Sequence, residues 1–389
     1  MKRRTGRYER TIVGGEEVAA FLPDPLPPRD SPILIAGVLA ERLRRAEHAL
    51  LRLELAGEMV PSIDWFIYAF VRKEAVISSQ IEGTQATLVD LLTFEAEQAA
   101  PATADVEEIC NHLEALRFAR DQLRDERGLP LSMRLLSETH RRLMHGVRGA
   151  EKRPGEVRIS QNWIGGSRPG NAAYVPPPPH ALGELLGAFE KYIHADDDLP
   201  PLVRAGLLHV QFETLHPYLD GNGRIGRLLV TLLLEHWKLL SQPLLYLSLF
   251  FKRHRDEYYR RLNAVRTDGD WEAWLDFFLD GVATIAEESI ASARDLFALI
   301  AVDRSRHLTH AGTSVASARL FELLPQHPVV TIAAATRWLG ITKPTAGRAV
   351  EGLVNAGILA ETTGKKRDRT FVYQAYLDRL RAGTELDST

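Results

Sequence analysis

One glycine-rich turn, HPYLDGNGRIGR at residues 216–227, constrains the fold of this 389-residue chain more than any other stretch. Gly221, Gly223 and Gly226 satisfy G-x-G-x-x-G, the pattern of a dinucleotide-binding turn. That fold needs a strand before the first glycine and an acidic residue about twenty positions after it, within a parallel βαβ unit. Here the preceding segment, LPPLVRAGLLHVQFETL, is helical in pattern, and the next acidic residue is Glu235. The turn therefore joins two helices, and a Rossmann fold is excluded.

Helical periodicity extends through most of the chain. Apolar residues recur at helical spacing in segments such as SIDWFIYAFVRKEAVISSQ and DVEEICNHLEALRFARDQL. Residues 1–30 are extended in pattern and are punctuated by prolines. The aromatic residues of WEAWLDFFLD fit a packed core better than a stacking platform; they are Trp271, Trp274, Phe277 and Phe278. We expect a fold that is mainly all-α.

The stretch SQNWIGGSRPGNAAYVPPPP interrupts the helices. Two short strand-like runs, at residues 161–164 and 172–175, flank a cluster of Gly, Pro and Asn, which predicts a β-hairpin. This helical region offers no sheet for the hairpin to extend, so we interpret it as a functional loop.

The sequence changes character again near residues 307–312. Three helical patterns follow, and then two strand-like segments, GILAETT and TFVYQAY, are joined by GKKRDR. Three helices closed by a hairpin predict a winged helix-turn-helix. The chain thus divides into an N-terminal helical region (1–110), a central helical domain (111–305) and a C-terminal winged-helix domain (312–389).

Charge and cysteine content exclude several classes of protein. The formal net charge of −3 gives no global attraction to nucleic acid or acidic membranes. Cys110 is the single cysteine, which excludes an internal disulfide framework and a cysteine-based zinc site, and its helical context predicts a buried, inert thiol. No apolar stretch follows the basic N-terminus, and the longest apolar run, LLVTLLL, is too short to span a bilayer. We expect a cytoplasmic protein without a membrane partner.

The glycines and arginines of the turn suit an anion. Gly221 and Gly223 let the backbone expose its N–H groups in a concave turn, and the helix that begins near Arg224 adds its positive N-terminal end. Arg224 and Arg227, three residues apart, lie on one side of the first helical turn and can clamp phosphate oxygens. The turn is therefore predicted to bind phosphate.

Two further side chains add chemistry to this phosphate site. A bare phosphate would repel Asp220, so this carboxylate makes sense as a ligand of a Mg²⁺ ion that bridges phosphates. His216 lies at the rim of the turn, where an imidazole can take up a proton. A general base, a metal-binding carboxylate and a phosphate clamp together predict transfer from a nucleoside triphosphate.

HPYLDGNGRIGR closely resembles the signature of the Fic family, H-x-F-x-[DE]-G-N-G-R-x-x-R. Tyr218 replaces the usual Phe, a buried anchor that Tyr can supply if its hydroxyl finds a hydrogen-bond partner. NWIGG and YVPPPP resemble the family's flap hairpin, and ISSQIEG resembles its inhibitory motif, [ST]-x-x-x-E-[GN], at residues 78–83. The order of these motifs is similar to that of stand-alone bacterial Fic proteins that carry their own inhibitor. The resemblance implies a Fic helical core with a β-hairpin flap, followed by the winged helix.

The resemblance also implies adenylylation, in which AMP moves from ATP to a Ser, Thr or Tyr hydroxyl of a protein. His216 would be the base, Asp220 would hold Mg²⁺, and Asn222 with the neighbouring amides would stabilise the α-phosphate. Arg224 would hold the leaving pyrophosphate, and Arg227 the γ-phosphate. The residues implied in ATP binding are Gln211, His216, Pro217, Tyr218, Leu219, Asp220, Gly221, Asn222, Gly223, Arg224, Arg227, His254 and Tyr258. For Gln211, His254 and Tyr258, candidates for an adenine pocket, a purely structural role is the equal alternative.

Glu82 is the inhibitory residue that the resemblance implies. It would pair with Arg227, displace the γ-phosphate and leave ATP badly placed. The alternative is a surface charge at a helix end, where Gly83 acts as an ordinary stop signal.

Two other functions stay open. Relatives of the fold transfer UMP, phosphate or phosphocholine, although Asn222 and the two arginines favour AMP. Alternatively, the chain is a DNA-binding regulator with a Fic sensor domain, because cations cluster on the predicted wing and recognition helix; they are Lys343, Arg348, Lys365, Lys366, Arg367 and Arg369. The target protein and the formation of a homodimer are left open.

Overall fold

A computed structural model describes residues 3–28, 32–58, 62–97, 102–310, 312–365 and 367–386. It contains two compact units, each built from separate stretches of the chain. One combines Met1–Glu54 with Asn111–Ala286, and the other combines Leu55–Cys110 with Glu287–Thr389. The expected all-α character is confirmed, since helices dominate the described residues. The division into three consecutive domains stays a prediction.

The chain begins with a β-hairpin, where the sequence pattern predicted an extended segment punctuated by prolines. Strand β1 (Gly6–Val13) pairs with β2 (Glu16–Pro23) in antiparallel register, with Val13 opposite Glu16. Gly14 (φ 58°) and Gly15 (φ 84°) form the two-residue connection. Two consecutive residues with positive φ match the twist of a tight hairpin, and glycine adopts them without steric cost. The Gly-Gly dipeptide in VGGE therefore indicates a hairpin turn.

Helices follow in chain order. Before the flap they are α1 (Val38–Glu58), α2 (Ile63–Ile81), α3 (Leu88–Glu97), α4 (Ala104–Arg124) and α5 (Met133–Leu143). After it they are α6 (Pro179–Ile193), α7 (Pro201–Leu215), α8 (Asn222–His236), α9 (Ser248–Arg253), α10 (Arg255–Asp268) and α11 (Trp271–Thr309). Within the described residues, no helix is both long enough and apolar enough to cross a membrane.

The core of the first unit surrounds α7. Thirteen of its fifteen residues are buried, and they include the polar side chains of Arg204, His209, Gln211 and Thr214. Gly206 lets α11 approach closely, because a Cβ there would lie 3.0 Å from a ring carbon of Phe278. Trp274 donates its indole N–H to the Gly206 carbonyl at 2.9 Å. The prediction that the aromatic residues of WEAWLDFF belong to the core is confirmed, since none of the four exceeds 8% exposure.

The second unit contains the C-terminal elements. These are α12 (Val315–Leu323), β3 (Val329–Thr331), α13 (Ile332–Leu339), α14 (Lys343–Asn355), β4 (Ala360–Glu361), β5 (Thr370–Val372) and α15 (Gln374–Leu380). The strands form an antiparallel sheet in the order β3-β5-β4. Lys365 and Arg367 are exposed in the loop between β4 and β5, whereas Lys366 lies outside the described residues. The winged-helix assignment itself stays a prediction.

Residues from α2 and α3 belong to the same unit as these C-terminal elements. The Gln80 amide donates to the carbonyl oxygens of Ala86 (3.0 Å) and Thr384 (2.9 Å). The Thr370 hydroxyl donates to the Glu97 carboxylate at 3.3 Å. Within this unit, the C-terminal elements therefore form hydrogen bonds with residues of α2 and α3.

Candidate active site

The glycine-rich turn lies between α7 and α8, as the sequence predicted. Pro200 and Pro201 start α7, and His216 ends it in the left-handed region with φ 48° and ψ 61°. Gly221 (φ 74°) is the N-cap of α8, which begins at Asn222, two residues earlier than expected. The first N–H groups of a helix have no acceptor four residues back. The turn therefore presents the positive end of α8 beside the half-buried His216 side chain.

Asn222 holds the turn together from inside. Its side chain is 1% exposed, its Oδ1 accepts from the Tyr218 N–H at 2.8 Å, and its Nδ2 donates to the Tyr218 carbonyl at 2.8 Å. Both ends of one amide thus bind both backbone groups of one residue. The observed contacts give Asn222 a structural role in the loop beside the phosphate-binding role that the resemblance implies.

Tyr218 fills the position where the Fic signature carries Phe. Its ring is fully buried and stacks on the His140 ring with centroids 3.9 Å apart and planes 7° apart. Its hydroxyl lies 3.1 Å from the Ser137 hydroxyl. The condition for replacing Phe by Tyr, a hydrogen-bond partner for the hydroxyl, is therefore met on α5.

His140 supports the same turn from α5. Its Nδ1 accepts the Gly155 N–H at 2.8 Å, so its Nε2 carries the proton and donates to the Asp220 carbonyl at 2.9 Å. Burial, with the Arg224 charge nearby, lowers the pKa of His140 to about 4. The imidazole is therefore neutral at physiological pH. No local motif marked this residue, because its partners lie 15 and 80 positions away.

The Asp220 carboxylate is ionised and engaged on both oxygens. Oδ1 accepts the Gly221 N–H at 2.7 Å and lies 3.7 Å from an Arg224 nitrogen, while Oδ2 accepts from Lys152 Nζ at 3.1 Å. Burial raises the pKa of Asp220, but the Lys152 and Gly221 hydrogen bonds and the neighbouring cations outweigh it and leave the pKa below its usual value. Lys152, which the sequence analysis did not single out, thus adds a cation to the site.

The two arginines of the motif are buried at the start of α8. Arg224 is 2% exposed and Arg227 is 3% exposed, and one Arg224 Nη lies 3.4 Å from the Met144 sulfur. Burial and these two guanidinium charges lower the pKa of His112, on α4, to about 3. His112 is thus a neutral neighbour of the cationic pair that sequence patterns did not reveal.

The predicted flap is shorter than expected. Of the runs 161–164 and 172–175, only Ile164 and Tyr174 pair, through backbone hydrogen bonds of 2.8 and 3.1 Å. Gly165 and Gly166, both with positive φ, and a 3-10 turn at Pro169–Asn171 interrupt the pairing. The Asn162 amide donates to the Tyr218 carbonyl at 3.2 Å, which ties the flap to the motif.

The N-terminal hairpin replaces the missing flap pairing. The Phe21 N–H of β2 donates to the Val175 carbonyl at 3.0 Å. The Glu16 carboxylate accepts from the Gly170 N–H at 3.1 Å and also binds the Arg168 guanidinium. A small apolar cluster joins the two hairpins; it contains Val13, Val18, Ala20, Ala172 and Val175.

The remaining ATP-binding candidates differ in exposure. Tyr258 is 1% exposed and its hydroxyl lies 2.8 Å from His209 Nε2, so in this structure its ring is part of the aromatic core. Gln211 is buried and donates to the Asp24 carbonyl at 3.1 Å. His254 is exposed at the junction of α9 and α10. Pro217 is buried and Leu219 is half-buried within the turn. The adenine pocket stays a prediction.

Glu82 lies directly after the last residue of α2. It is the exposed C-cap of that helix, and Gly83 follows with φ 97°. This is the helix stop that the sequence indicated. Its inhibitory role stays a prediction.

The donor set of the turn fits Mg²⁺ in the company of phosphate. In the described part of the chain, no three His, Cys, Asp or Glu side chains converge on a metal position. Mg²⁺ characteristically takes one or two carboxylates and completes its shell with substrate phosphates and water. The ionised Asp220 carboxylate at the positive end of α8 meets that requirement.

Comparisons with known proteins agree with this geometry. The model described as "Fic/DOC family N-terminal" matches residues 40–121, and the model described as "Fic/DOC family" matches residues 130–234. The chain carries a Fic/DOC-family domain. The Fic match ends within α8, so it includes the whole turn and the flap.

Named relatives resemble the Fic part of the chain. A protein of Culex quinquefasciatus named protein adenylyltransferase Fic is 32% identical over 152 residues, which is 39% of this chain and 27% of that protein. A protein of Drosophila grimshawi with the same name is 31% identical over 154 residues, or 39% of this chain and 29% of that protein. The chain thus spans less than a third of the length of these relatives.

Solved structures share the fold. A Fic family protein from Desulfovibrio desulfuricans G20 superposes with a TM-score of 0.57 at 17% identity, covering 88% of this chain and 97% of that one. Fic-1 (residues 134–508) from C. elegans has a TM-score of 0.51 at 19% identity, with 66% and 72% coverage. At these identities the similarity establishes the Fic fold alone.

Proposed function

We propose that this protein is an adenylyltransferase that moves AMP from ATP to a side-chain hydroxyl of a protein. The observation that carries the proposal is the pair of buried guanidinium groups, Arg224 and Arg227, at the positive end of α8. Guanidinium groups bind phosphate oxygens bidentately, and the positive end of a helix favours the same anion. The named relatives, adenylyltransferases by their description, support ATP as the phosphate ligand.

His216 acts as the general base in this mechanism. Its imidazole accepts the proton of the target hydroxyl, whose oxygen attacks the α-phosphorus of ATP. A new P–O bond forms to the target, the bond between the α-phosphorus and the bridging oxygen breaks, and pyrophosphate leaves. The left-handed backbone of His216 turns the chain sharply from α7 into the loop, which places the imidazole beside the helix end that holds the phosphates.

The cations around the turn bind the triphosphate and stabilise the negative charge that develops on it during the transfer. The N–H groups of the first turn of α8 and Arg224 face the phosphates, and Arg227 binds the γ-phosphate. Asp220 would hold Mg²⁺, which when bound neutralises phosphate charge. Lys152, now hydrogen-bonded to Asp220, supplies a further cation at the same edge.

Autoinhibition by Glu82 is part of the proposal. A carboxylate that occupies the Arg227 fork competes with the γ-phosphate for the same donors. Glu82 stands at a helix end next to a glycine, so the backbone there tolerates removal of its side chain.

The test uses ATP labelled at either the α- or the γ-phosphate. Incubation with host lysate and Mg²⁺ should transfer the α-label, and not the γ-label, to protein, and UTP should not replace ATP. Transfer of the γ-label would instead identify a phosphotransferase, and transfer from UTP a uridylyltransferase. A protein that transfers neither label, even after Glu82→Gly, is not the proposed enzyme.

A further inference from the structure

Arg158 is a buried cation for which neither the Fic signature nor the proposed mechanism has a role. It lies between α5 and the flap and is 2% exposed. Burial lowers the pKa of Arg158 to about 10, so the guanidinium is still charged at neutral pH. A buried charge of this kind is tolerated only when its donors are satisfied.

The acceptors of Arg158 come from both sides of the site. Nε donates to the His216 carbonyl at 2.9 Å. Nη1 donates to the Ser160 carbonyl at 3.2 Å, just before the first flap run, and Nη2 donates to the Pro177 carbonyl at 2.6 Å, just after the second. In addition, the Arg158 backbone N–H donates to the Pro217 carbonyl at 2.9 Å. One planar group thus joins the base of the flap to the loop that carries the catalytic base.

The fork geometry of a guanidinium fixes these acceptors relative to one another. Its N–H donors are coplanar and diverge at set angles, whereas an ammonium group is a point charge on a flexible stem. The His216 backbone is held at a positive φ of 48°, which is a strained conformation in a residue other than glycine. The hydrogen bond from Arg158 Nε contributes to holding it there.

We infer that Arg158 is a positioning residue that sets the distance between the His216 base and the flap, and that the flap holds the backbone of the target protein beside that base. This rests on the proposed function, because the flap matters only if a protein hydroxyl is the acceptor. Loss of the fork should misplace the hydroxyl relative to the base and leave the nucleotide site intact. Displacements of ~1 Å can cost ~10²-fold in rate.

Arg204 offers a matched control. It is also buried, at 7% exposure, and its Nη2 donates to the carbonyls of Tyr192, Ile193 and Ala195 at 2.9, 3.3 and 2.9 Å. It therefore caps carbonyl groups in the same way, at the end of α6 instead of at the motif loop. Its substitution measures what any buried, carbonyl-binding arginine contributes to stability.

The experiment compares Arg158→Lys and Arg204→Lys in the full chain carrying Glu82→Gly. The probes are α-labelled ATP, with the chain itself as acceptor, and a fluorescent ATP analogue for affinity. We expect Arg158→Lys to lower the labelling rate at saturating ATP roughly tenfold or more, with nucleotide affinity unchanged. Arg204→Lys should leave the labelling rate and the nucleotide affinity unchanged. Both variants should lose thermal stability.

Equal labelling rates in the two folded variants would overturn the inference, as would a parallel loss of nucleotide affinity in Arg158→Lys. Should Arg158→Lys not fold, Arg158→Gln, which buries no charge, replaces it, and its labelling rate and nucleotide affinity are compared with those of Arg204→Lys. If neither Arg158→Lys nor Arg158→Gln folds while Arg204→Lys does, Arg158 is a structural residue and the inference is wrong. A Glu82→Gly parent that transfers no α-label would overturn the proposed function, and this inference with it.

Discussion

Two loops of the molecule combine a left-handed glycine with clustered cations, and they differ in burial. Between α7 and α8, Gly221 (φ 74°) precedes a helix whose Arg224 and Arg227 are 2% and 3% exposed. The loop between β4 and β5 also contains a left-handed glycine, but there Lys365 and Arg367 are exposed. The two sequences look alike in composition and differ in what surrounds them.

Burial decides what a cluster of basic residues indicates about binding. An exposed cation stays hydrated and costs nothing to keep, so its presence alone identifies no partner. A buried guanidinium has lost that hydration, and the fold tolerates it only with compensating contacts. We therefore propose that the α7–α8 loop binds phosphate, whereas the exposed cations of the β4–β5 loop by themselves identify no partner. Substitutions in the two loops and at buried histidines can test this contrast.

His216→Ala should remove the general base from the buried loop and lower AMP transfer by roughly 10²–10⁴-fold. Affinity for ATP should persist, because the phosphate-binding groups are unchanged. Labelling with α-labelled ATP measures transfer, and a fluorescent ATP analogue measures binding. His48→Ala, an exposed histidine on α1, is the control and should behave as the wild type. Equal labelling by the two variants would refute the role of His216.

Glu82→Gly should raise both transfer and apparent ATP affinity, because Arg227 becomes available to the γ-phosphate. A charged hydrogen bond worth ~1.5–3 kcal/mol corresponds to roughly a tenfold to hundredfold gain. Addition of Arg227→Ala should cancel that gain in a double-mutant cycle. A gain that survives in the double variant would show that Glu82 acts through another group.

Stability should fall in acid because buried histidines of the first unit stay neutral in the folded state. Burial lowers the pKa of His140 and His209 to about 4 and that of His112 to about 3. These folded-state values lie below the unfolded value near ~6.5, so the stabilisation is complete above that pH and is lost as the pH falls below it. Between pH ~6.5 and its folded-state pKa, each histidine changes the free energy of unfolding by up to ~1.4 kcal/mol per pH unit.

Urea unfolding at pH 7.5, 6.5 and 5.5 measures this slope. His140→Gln should reduce the pH dependence while lowering stability at pH 7.5, whereas the exposed His48→Gln should leave the slope unchanged. An identical slope in His140→Gln and the wild type would mean that His140 titrates normally in the folded protein.

The exposed loop should show the smallest effect. If the C-terminal elements bind duplex DNA, Lys365→Ala and Arg367→Ala should each weaken binding only a few-fold and reduce the salt slope by ~1. Lys191→Ala, an exposed cation on α6, should change neither. Gel-shift titration across salt concentrations makes the measurement. Absence of salt-dependent binding in the wild type would exclude the regulator hypothesis.

Several features of the site could be predicted from the sequence because they are local. The spacing of HPYLDGNGRIGR places His216, Asp220 and the two arginines around one helix end, and the prolines before α7 mark its start. Gly221 has the positive φ that a turn between two helices needs. The Gly14–Gly15 turn was equally local, but the surrounding residues were interpreted as an extended segment and the hairpin was missed.

The supporting residues could not be predicted in this way. His140 contacts Asp220 from 80 positions away, Lys152 from 68 positions and Arg158 contacts His216 from 58 positions. No periodicity or spacing within the sequence links such pairs, because each contact depends on how α5 and the flap pack beside the α7–α8 turn. The same holds for the flap, whose Val175 carbonyl accepts a hydrogen bond from the distant Phe21 N–H.

The local order of the turn follows from the sequence alone, since residue types at fixed spacing set which side chains surround the start of α8. Only the tertiary structure decided which of its charges are buried, which histidines stay neutral and which segments form each unit. Burial and pKa depend on the solvent excluded by residues from every part of the chain. That is why the arginines of α8 and the cations of the β4–β5 loop differ so much in environment.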